Sequence, residues 1–556
     1  MESRAEKAYK VYKSCVAKKF KAIPRYDLNT LYNVTCRMKR DAKYAEEIAE
    51  FKTAEGEPLD LLIEKYFNDY NNLYGLEIRD DLIEYENPEM ASGSYFKIES
   101  FIYEGGELVK RLPTEFLAGE TARVVATLYS HESGAPISAK KISLTGCTDD
   151  GEEIKKTFKD CSSFGFDLTL SRPGGLKFKI IVLDDNDKPL LGAELGYGGI
   201  VFSRKEITTT HRPPKDLKEF WSKKIDELLL VNPLETCPDA YTGKVQTKYN
   251  ISERNFYRLI KVDTAYAEKL KSLGQPYPSA EDIEAFNIYE VNLKAPGPCP
   301  ATAYVSVPKG AEKKSLPIHF IYDGYGVHMS APVCVNEQIS VHATHHGYEL
   351  AQNTDYYKDL FATVCGHYCR GNGEVNSDCN DIHDCYPLYI MLRNLQMLRF
   401  LTSEKLSSGI ELLHEKWNGN VSMFGGSMGG YQTVCVGALA AILRDKVGGF
   451  LLTKLDAPSP AFGNVAGSTD KRVTSTFFVY SEGADYFDTA ILATLLDTKT
   501  NIPRASLGDE ACPVTTMTAI YNSIPKEFRG EIRYIQNSSH GYLPDPEHQE
   551  WIVYND

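Results

Sequence analysis

NVSMFGGSMGGYQTV spans Asn420–Val434. A short β-prone run, Val421 to Phe424, meets a turn in which Gly425, Gly426, Gly429 and Gly430 crowd around Ser427. The small-residue segment after the turn reads as a helix. Glycine costs backbone entropy, so such a cluster implies a turn that side chains would block. Gly425 to Gly429 fits G-x-S-x-G, the nucleophile elbow, where a serine on a strained strand-to-helix turn exposes its hydroxyl above a sheet. The backbone N–H of Met428, at the start of the helix, can donate to an oxyanion. The pattern alone is common; its strand–turn–helix setting is what points to an α/β fold.

A serine hydroxyl needs a base, and the base needs an orienting acid. On this fold the chain order is Ser, then Asp or Glu, then His. His540 and His548 are the histidines that follow Ser427. His540 stands in YIQNSSHGYLPD just past the β-like run EIRYIQ, where a catalytic histidine is expected. His548, in DPEHQEW, reads as a solvated helix position. For the acid, Asp509 in RASLGDEACPVTT follows a strand-like stretch and precedes the helical MTAIYNSI. Asp456, Asp485 and Asp488 compete with it, and each reads more readily as a cap or surface carboxylate.

Outward from the elbow, β-like and helical runs alternate: PIHFIYDG, FATVCGHYC, a helix near Tyr386–Thr402, VSMF, the helix after Ser427, then GGFLLTKLD. That alternation argues for a parallel sheet with helices on both faces. The amphipathic HRPPKDLKEFWSKKIDELL (His211–Leu229) opens this segment, so we place a catalytic α/β domain at 207–556. From 93 to 206 the runs ARVVATLYS, KKISLTG, FGFDLTL, LKFKIIVLDD and GGIVFS alternate at period two between turn signals. They predict a small immunoglobulin-like β-sandwich. It reads as a spacer or a wall beside the active site rather than a glycan-binding module. Residues 1–92 carry helical spacing, as in AKYAEEIAEFK and PLDLLIEKYFNDYNNLYG, and no catalytic motif.

The chain has 556 residues, enough for two to four domains. With 62 basic and 76 acidic residues its net charge is −14. That excess disfavours nucleic acid and anionic membranes and suits a neutral substrate such as a glycan. No apolar run reaches the roughly 18 residues of a membrane span. The charged start MESRAEKAYKVYKSC lacks the apolar core of a secretory signal, which favours a cytoplasmic location unless a signal has been removed. The 13 cysteines are an odd number, so at least one is unpaired within the chain.

At these residues a family comes into view. From about 207 to 556 the chain resembles the acetyl xylan esterases and cephalosporin-C deacetylases of carbohydrate esterase family seven. The D-F-x-x-F-W signature of that family looks like Asp216–Trp221, and its G-x-S-Q-G elbow matches Gly425–Gly429 with Met428 in place of Gln. Its acid segment, close to G-L-x-D-x-x-C-P-P, matches Ser506–Pro513 and favours Asp509. The YFD of Tyr486–Asp488 and Ile502-Pro503 sit where the family has them. R-G-Q-G matches Arg370–Gly373 with Asn372 for Gln, and an H-G-Y segment resembles Asp323-Gly324-Tyr325. The family's final His-Glu is His540-Gly541 here, and its Y-Y-Y-R run is missing.

The resemblance implies an α/β-hydrolase with the triad Ser427, Asp509 and His540 and an oxyanion hole from the N–H groups of Met428 and Tyr325. It implies deacetylation of acetylated xylo-oligosaccharides or related sugars, with no cofactor and no metal. It leaves acyl preference and a homo-oligomer open, because the altered region after Gly373 shapes both in the family. Longer multidomain relatives look similar in carrying an immunoglobulin-like domain before the entry helix.

Three rival readings compete with this one. Cys365, His367, Cys369, Cys379, His383 and Cys385 offer zinc ligands, but without paired C-x₂-C spacing, so buried thiols or a disulfide are favoured. GGSMGGY also resembles the elbow of prolyl oligopeptidase-type peptidases, whose β-propeller has no blade repeats here. A decayed, glycan-binding hydrolase is the third reading, and the presence of all three triad residue types counts against it.

Overall fold

The computed structural model describes residues 94–130, 133–183, 187, 195–236, 255–297, 299–326, 330–357, 379–474, 480–544 and 546–556. The helical segment expected at 1–92 lies outside these residues, as do Cys365, His367, Cys369 and Arg370–Gly373. The described residues form two compact units. The first runs to Glu206 and takes in Ser506–Thr515 and Tyr534–Ile552; the second holds Ile207–Ala505, Thr516–Arg533 and Val553–Asp556.

In the first unit, alternation builds two sheets. The strands are β1 (Ser94–Glu104), β2 (Glu107–Lys110), β3 (Thr121–Ser130), β4 (Ala139–Thr148), β5 (Glu153–Cys161), β6 (Ser163–Thr169), β7 (Gly174–Leu183) and β8 (Gly196–Phe202). They form two four-stranded sheets in the orders β2-β1-β3-β6 and β5-β4-β7-β8. Every pairing is antiparallel. Successive side chains of a strand face opposite ways, so Ala122, Val124, Ala126 and Leu128 of β3 all point inward and are fully buried. They share one apolar core with Ile142 and Leu144 of β4 and Phe178 and Ile180 of β7. Phe166 of β6 meets Phe178 edge to face, with ring centroids 5.2 Å apart. Burying each Val or Leu contributes about 1.5–3 kcal/mol before entropy is counted.

The large sheet has ten strands: β9 (Arg258–Lys261), β10 (Phe286–Leu293), β11 (Ala301–Pro308), β12 (Leu316–Tyr322), β13 (Ile339–Thr344), β14 (Trp417–Gly425), β15 (Leu451–Asp456), β16 (Thr500–Ser506), β17 (Arg529–Ile535) and β18 (Trp551–Tyr554). Their order is β18-β17-β16-β15-β14-β12-β13-β11-β10-β9. From β13 through β12, β14, β15 and β16 the neighbours are parallel, while β11 and β10 join antiparallel. β12 and β13 have exchanged places relative to chain order. A glycine-rich strand-to-helix turn follows the central parallel strand β14, so the elbow sits in the middle of a mixed α/β sheet.

Helices pack against the sheet or against one another. They include α1 (Leu217–Leu230), α2 (Tyr386–Thr402) and α3 (Met428–Val447). α2 and α3 are apolar around most of their circumference, which marks interior helices. Where polar groups enter their contact they are paired: Asn394 Nδ2 donates to Gln432 Oε1 at 2.9 Å. Among the described residues no helix is long and apolar enough to cross a membrane.

Candidate active site

The elbow explains its own glycines. β14 ends at Gly425 and α3 begins at Met428, leaving Ser427 at φ 58° and ψ −118°, a left-handed conformation strained for a non-glycine residue. A Cβ on Gly425 would lie 2.7 Å from the carbonyl of Gly429. A Cβ on Gly429 would lie 2.3 Å from the oxygen of Tyr322, where β12 ends. Gly426 differs: its nearest neighbour is Pro458, at 3.6 Å, so this position has room. Backbone bonds hold the strained turn. Ser427 N–H donates to Pro458 O at 3.1 Å, and Ser427 O accepts from Ala461 and Tyr431, each at 3.0 Å. Met428 is the first helical residue, so its N–H belongs to the group without an acceptor inside the helix.

β12 delivers Asp323-Gly324-Tyr325 beside this turn. A Cβ on Gly324 would be 3.9 Å from Gly426 O. Asp323 is anchored on both oxygens: Oδ1 accepts from His342 Nε2 at 2.9 Å and Oδ2 from Ser330 Oγ at 3.1 Å. His342 Nδ1 faces Ala331 O at 2.8 Å. Each ring nitrogen thus faces an oxygen acceptor, an arrangement that suits the protonated ring. Burial pulls the pKa of this imidazole down, and the bond to Asp323 outweighs it, leaving the pKa raised. No sequence reading singled out His342 or Ser330. They have no motif, and only the pairing of β13 with β12 brings His342 to the loop.

Asp509 and His540 both belong to the first unit. Asp509, fully buried, follows the end of β16. Its Oδ1 accepts the N–H groups of Ala511 at 2.9 Å and Cys512 at 2.7 Å. Its Oδ2 accepts from His540 Nδ1 at 2.9 Å. The two loops are tied by their backbones: Leu507 N–H donates to Ile535 O and Gly508 N–H to Ser538 O, both at 3.0 Å. The His540 loop is fastened to the small sheets as well. Asn537 Nδ2 donates to Phe96 O of β1 at 2.7 Å, and its Oδ1 accepts from Tyr197 N–H of β8 at 3.2 Å. Gln536 bonds Gly199 in both directions at 3.1 Å. Burial lowers the pKa of His540, but hydrogen bonds to Asp509 and Cys512 outweigh it and hold the pKa above the usual histidine range.

The rival carboxylates are engaged elsewhere. Asp488 accepts the N–H groups of Asn464, Val465, Ala490 and Ile491 as a helix cap, and burial pushes its pKa up to about 6. Asp485 pairs with His211 at 3.0 Å. Asp456 accepts from Asn501 Nδ2 and pairs with Lys454, both at 2.7 Å. His548 stacks on Tyr95, with ring centroids 4.0 Å apart. Two motif segments far apart in sequence also meet. Tyr486 Oη donates to Asp216 at 2.6 Å, and Trp221 Nε1 donates to Tyr486 O at 3.0 Å. Of the cysteine-histidine run, Cys379 and Cys385 are buried and His383 is exposed; these three do not converge as metal ligands.

No protein-family model matches the chain, and no curated protein matches its sequence. Solved structures do. The acetyl xylan esterase from Paenibacillus sp. R4 is 16% identical at a TM-score of 0.42, over 62% of this chain and 95% of that one. Acetyl xylan esterase 1 from Thermoanaerobacterium sp. JW/SL YS485 is also 16% identical, at 0.41, over 62% and 93%. Esterase B from Lactobacillus rhamnosis is 12% identical at 0.29, over 49% and 81%.

Proposed function

We propose that the chain is a serine carboxylesterase that removes acetyl groups from the hydroxyls of acetylated xylo-oligosaccharides or related sugars. The observation that carries this reading is the Asp509–His540 pair at 2.9 Å, following a strained serine elbow in the order Ser, Asp, His. The carboxylate selects the Nδ1–H tautomer and leaves Nε2 as the base. His540 takes the proton of Ser427 as the hydroxyl attacks the acetyl carbonyl. Asp509 stabilises the imidazolium so formed. The N–H groups of Met428 and Tyr325 receive the oxyanion, each contributing about 10² to 10³ in rate. His540 then protonates the leaving sugar oxygen. Water, activated by the same ring, releases acetate, and Ser427 regains its proton. In this reading the two-sheet unit is an immunoglobulin-like sandwich whose task is to hold the His540 loop.

Acetate release from acetylated xylo-oligosaccharide, beside hydrolysis of 4-nitrophenyl acetate, tests the proposal. Wild type is expected to release acetate from both, and Ser427→Ala from neither, with an unchanged circular dichroism spectrum. Full activity in Ser427→Ala would refute the elbow assignment. Activity on the small ester alone would keep the chemistry and remove the glycan.

A further inference from the structure

Asp509 Oδ, Cys512 Sγ and a ring nitrogen of His540 all lie within 4.8 Å of one another. Carboxylate, thiolate and imidazole are each zinc ligands, and three protein ligands with water in the fourth position is a common zinc arrangement. We propose that Asp509, Cys512 and His540 form an inhibitory site for a thiophilic divalent cation, zinc foremost. Binding stands on these donors alone, whereas inhibition rests on the esterase reading above.

Three features favour the cation. The N–H groups of Ala511 and Cys512 hold Asp509 Oδ1, which leaves Oδ2 to ligate and fixes its direction as outer-shell bonds do in metal sites. The His540 side chain is 30% exposed while Asp509 and Cys512 are buried, so the cluster lies below the surface with solvent reaching the imidazole. The charges close: a dication with one carboxylate, one thiolate and a neutral imidazole carries no net charge, which removes the main penalty for burying an ion.

The protons balance too. The cation takes the place of the thiol proton, which leaves to water. From a ring protonated on both nitrogens the Nδ1 proton also leaves to water and Nε2 keeps its own; from a neutral ring the proton passes through solvent from Nδ1 to Nε2; in both cases Nδ1 binds the metal. The nitrogen required to accept the proton of Ser427 is then already protonated, and the Asp509–His540 hydrogen bond is gone.

The test uses the full chain stripped by a chelator, as wild type, Cys512→Ser and Cys512→Ala. Both variants keep the backbone N–H that holds Asp509. Cobalt(II) added to wild type is expected to give a thiolate-to-cobalt charge-transfer band at one equivalent. Both variants are expected to lose the band. Zinc affinity, read by competition with a chromophoric chelator, should fall at least about 100-fold, since losing an outer-shell partner alone costs up to that much. No band in wild type, or an equal band in the variants, overturns the site. Zinc should also stop wild-type hydrolysis of 4-nitrophenyl acetate and leave each variant at its own metal-free rate. Binding that depends on Cys512 without inhibition of an active enzyme overturns the inhibitory role. The expected bands from a protein that hydrolyses no ester sustain the metal site and sink the esterase reading instead.

Discussion

Ser427 and His540 hold their positions at different costs. The serine is strained at its backbone and fastened by three backbone hydrogen bonds, whereas the histidine is fastened through its ring. The raised pKa of His540 sets a sign. In the folded protein the proton is held more tightly than in the unfolded chain. The resulting stabilisation is therefore complete below the ordinary histidine value of about 6.5 and is lost as pH rises through the folded value. As a base the ring must be neutral, so kcat/KM is expected to rise with pH through a limb lying above about 6.5. That limb departs from the roughly 6 to 7 of an unperturbed histidine. In Asp509→Asn the limb should move to lower pH and kcat should fall by about 10⁴. A wild-type limb below 6 would sink the assignment. The glycines separate in the same way. Gly429→Ala drives a Cβ into Tyr322 O and should cost about 1–3 kcal/mol, whereas Gly426→Ala should leave the melting temperature nearly unchanged. Paired thermal melts check both. The strand–turn–helix geometry around Ser427 could be read directly because that turn is local. That Asp509 is the carboxylate facing His540 could not be read from spacing, since the partners of Asp488 and Asp485 are seen only in the structure.

At the scale of elements, the strands of the small sheets could be read directly, because period-two burial along β3 and β7 is the same pattern as in their sequences. What those strands touch could not. Asn537 crosses 441 residues of sequence to reach Phe96 O and bonds Tyr197 as well. Asn537→Ala would leave a buried carbonyl and a buried N–H unpaired, at about 1–3 kcal/mol each, and loosen the loop carrying His540. We expect a lower melting temperature and a lower kcat with KM little changed. A variant that melts lower while keeping its kcat would show that the tie serves stability alone. The Asp323–His342 pair teaches the same lesson within the second unit, since it depends on β13 lying beside β12 rather than following it.

For the molecule as a whole, compactness does not follow chain order. Ser506–Thr515 and Tyr534–Ile552, which carry Asp509 and His540, cluster with the N-terminal sheets rather than with the residues around them in sequence. A fragment of residues 207–556 is the natural excision from the sequence. It would lack Phe96, Tyr197 and Gly199, the partners of the His540 loop. We expect it to show little esterase activity and a lower melting temperature than the full chain. Full activity in the fragment would overturn the bracing role of the small sheets.

Local chemistry was decided by the sequence alone. The G-x-S-x-G turn demands small residues and a strained serine, alternating runs demand half-buried strands, and mixed β and α periodicity demands a covered parallel sheet. All of these express forces acting between residues a few positions apart. Pairings across hundreds of residues were decided only by the tertiary structure: which carboxylate faces His540, what holds the loop around it, and how His342 comes to clamp Asp323. A hydrogen-bond partner is chosen by where two backbones meet in space, and a sequence records order along the chain, not that meeting.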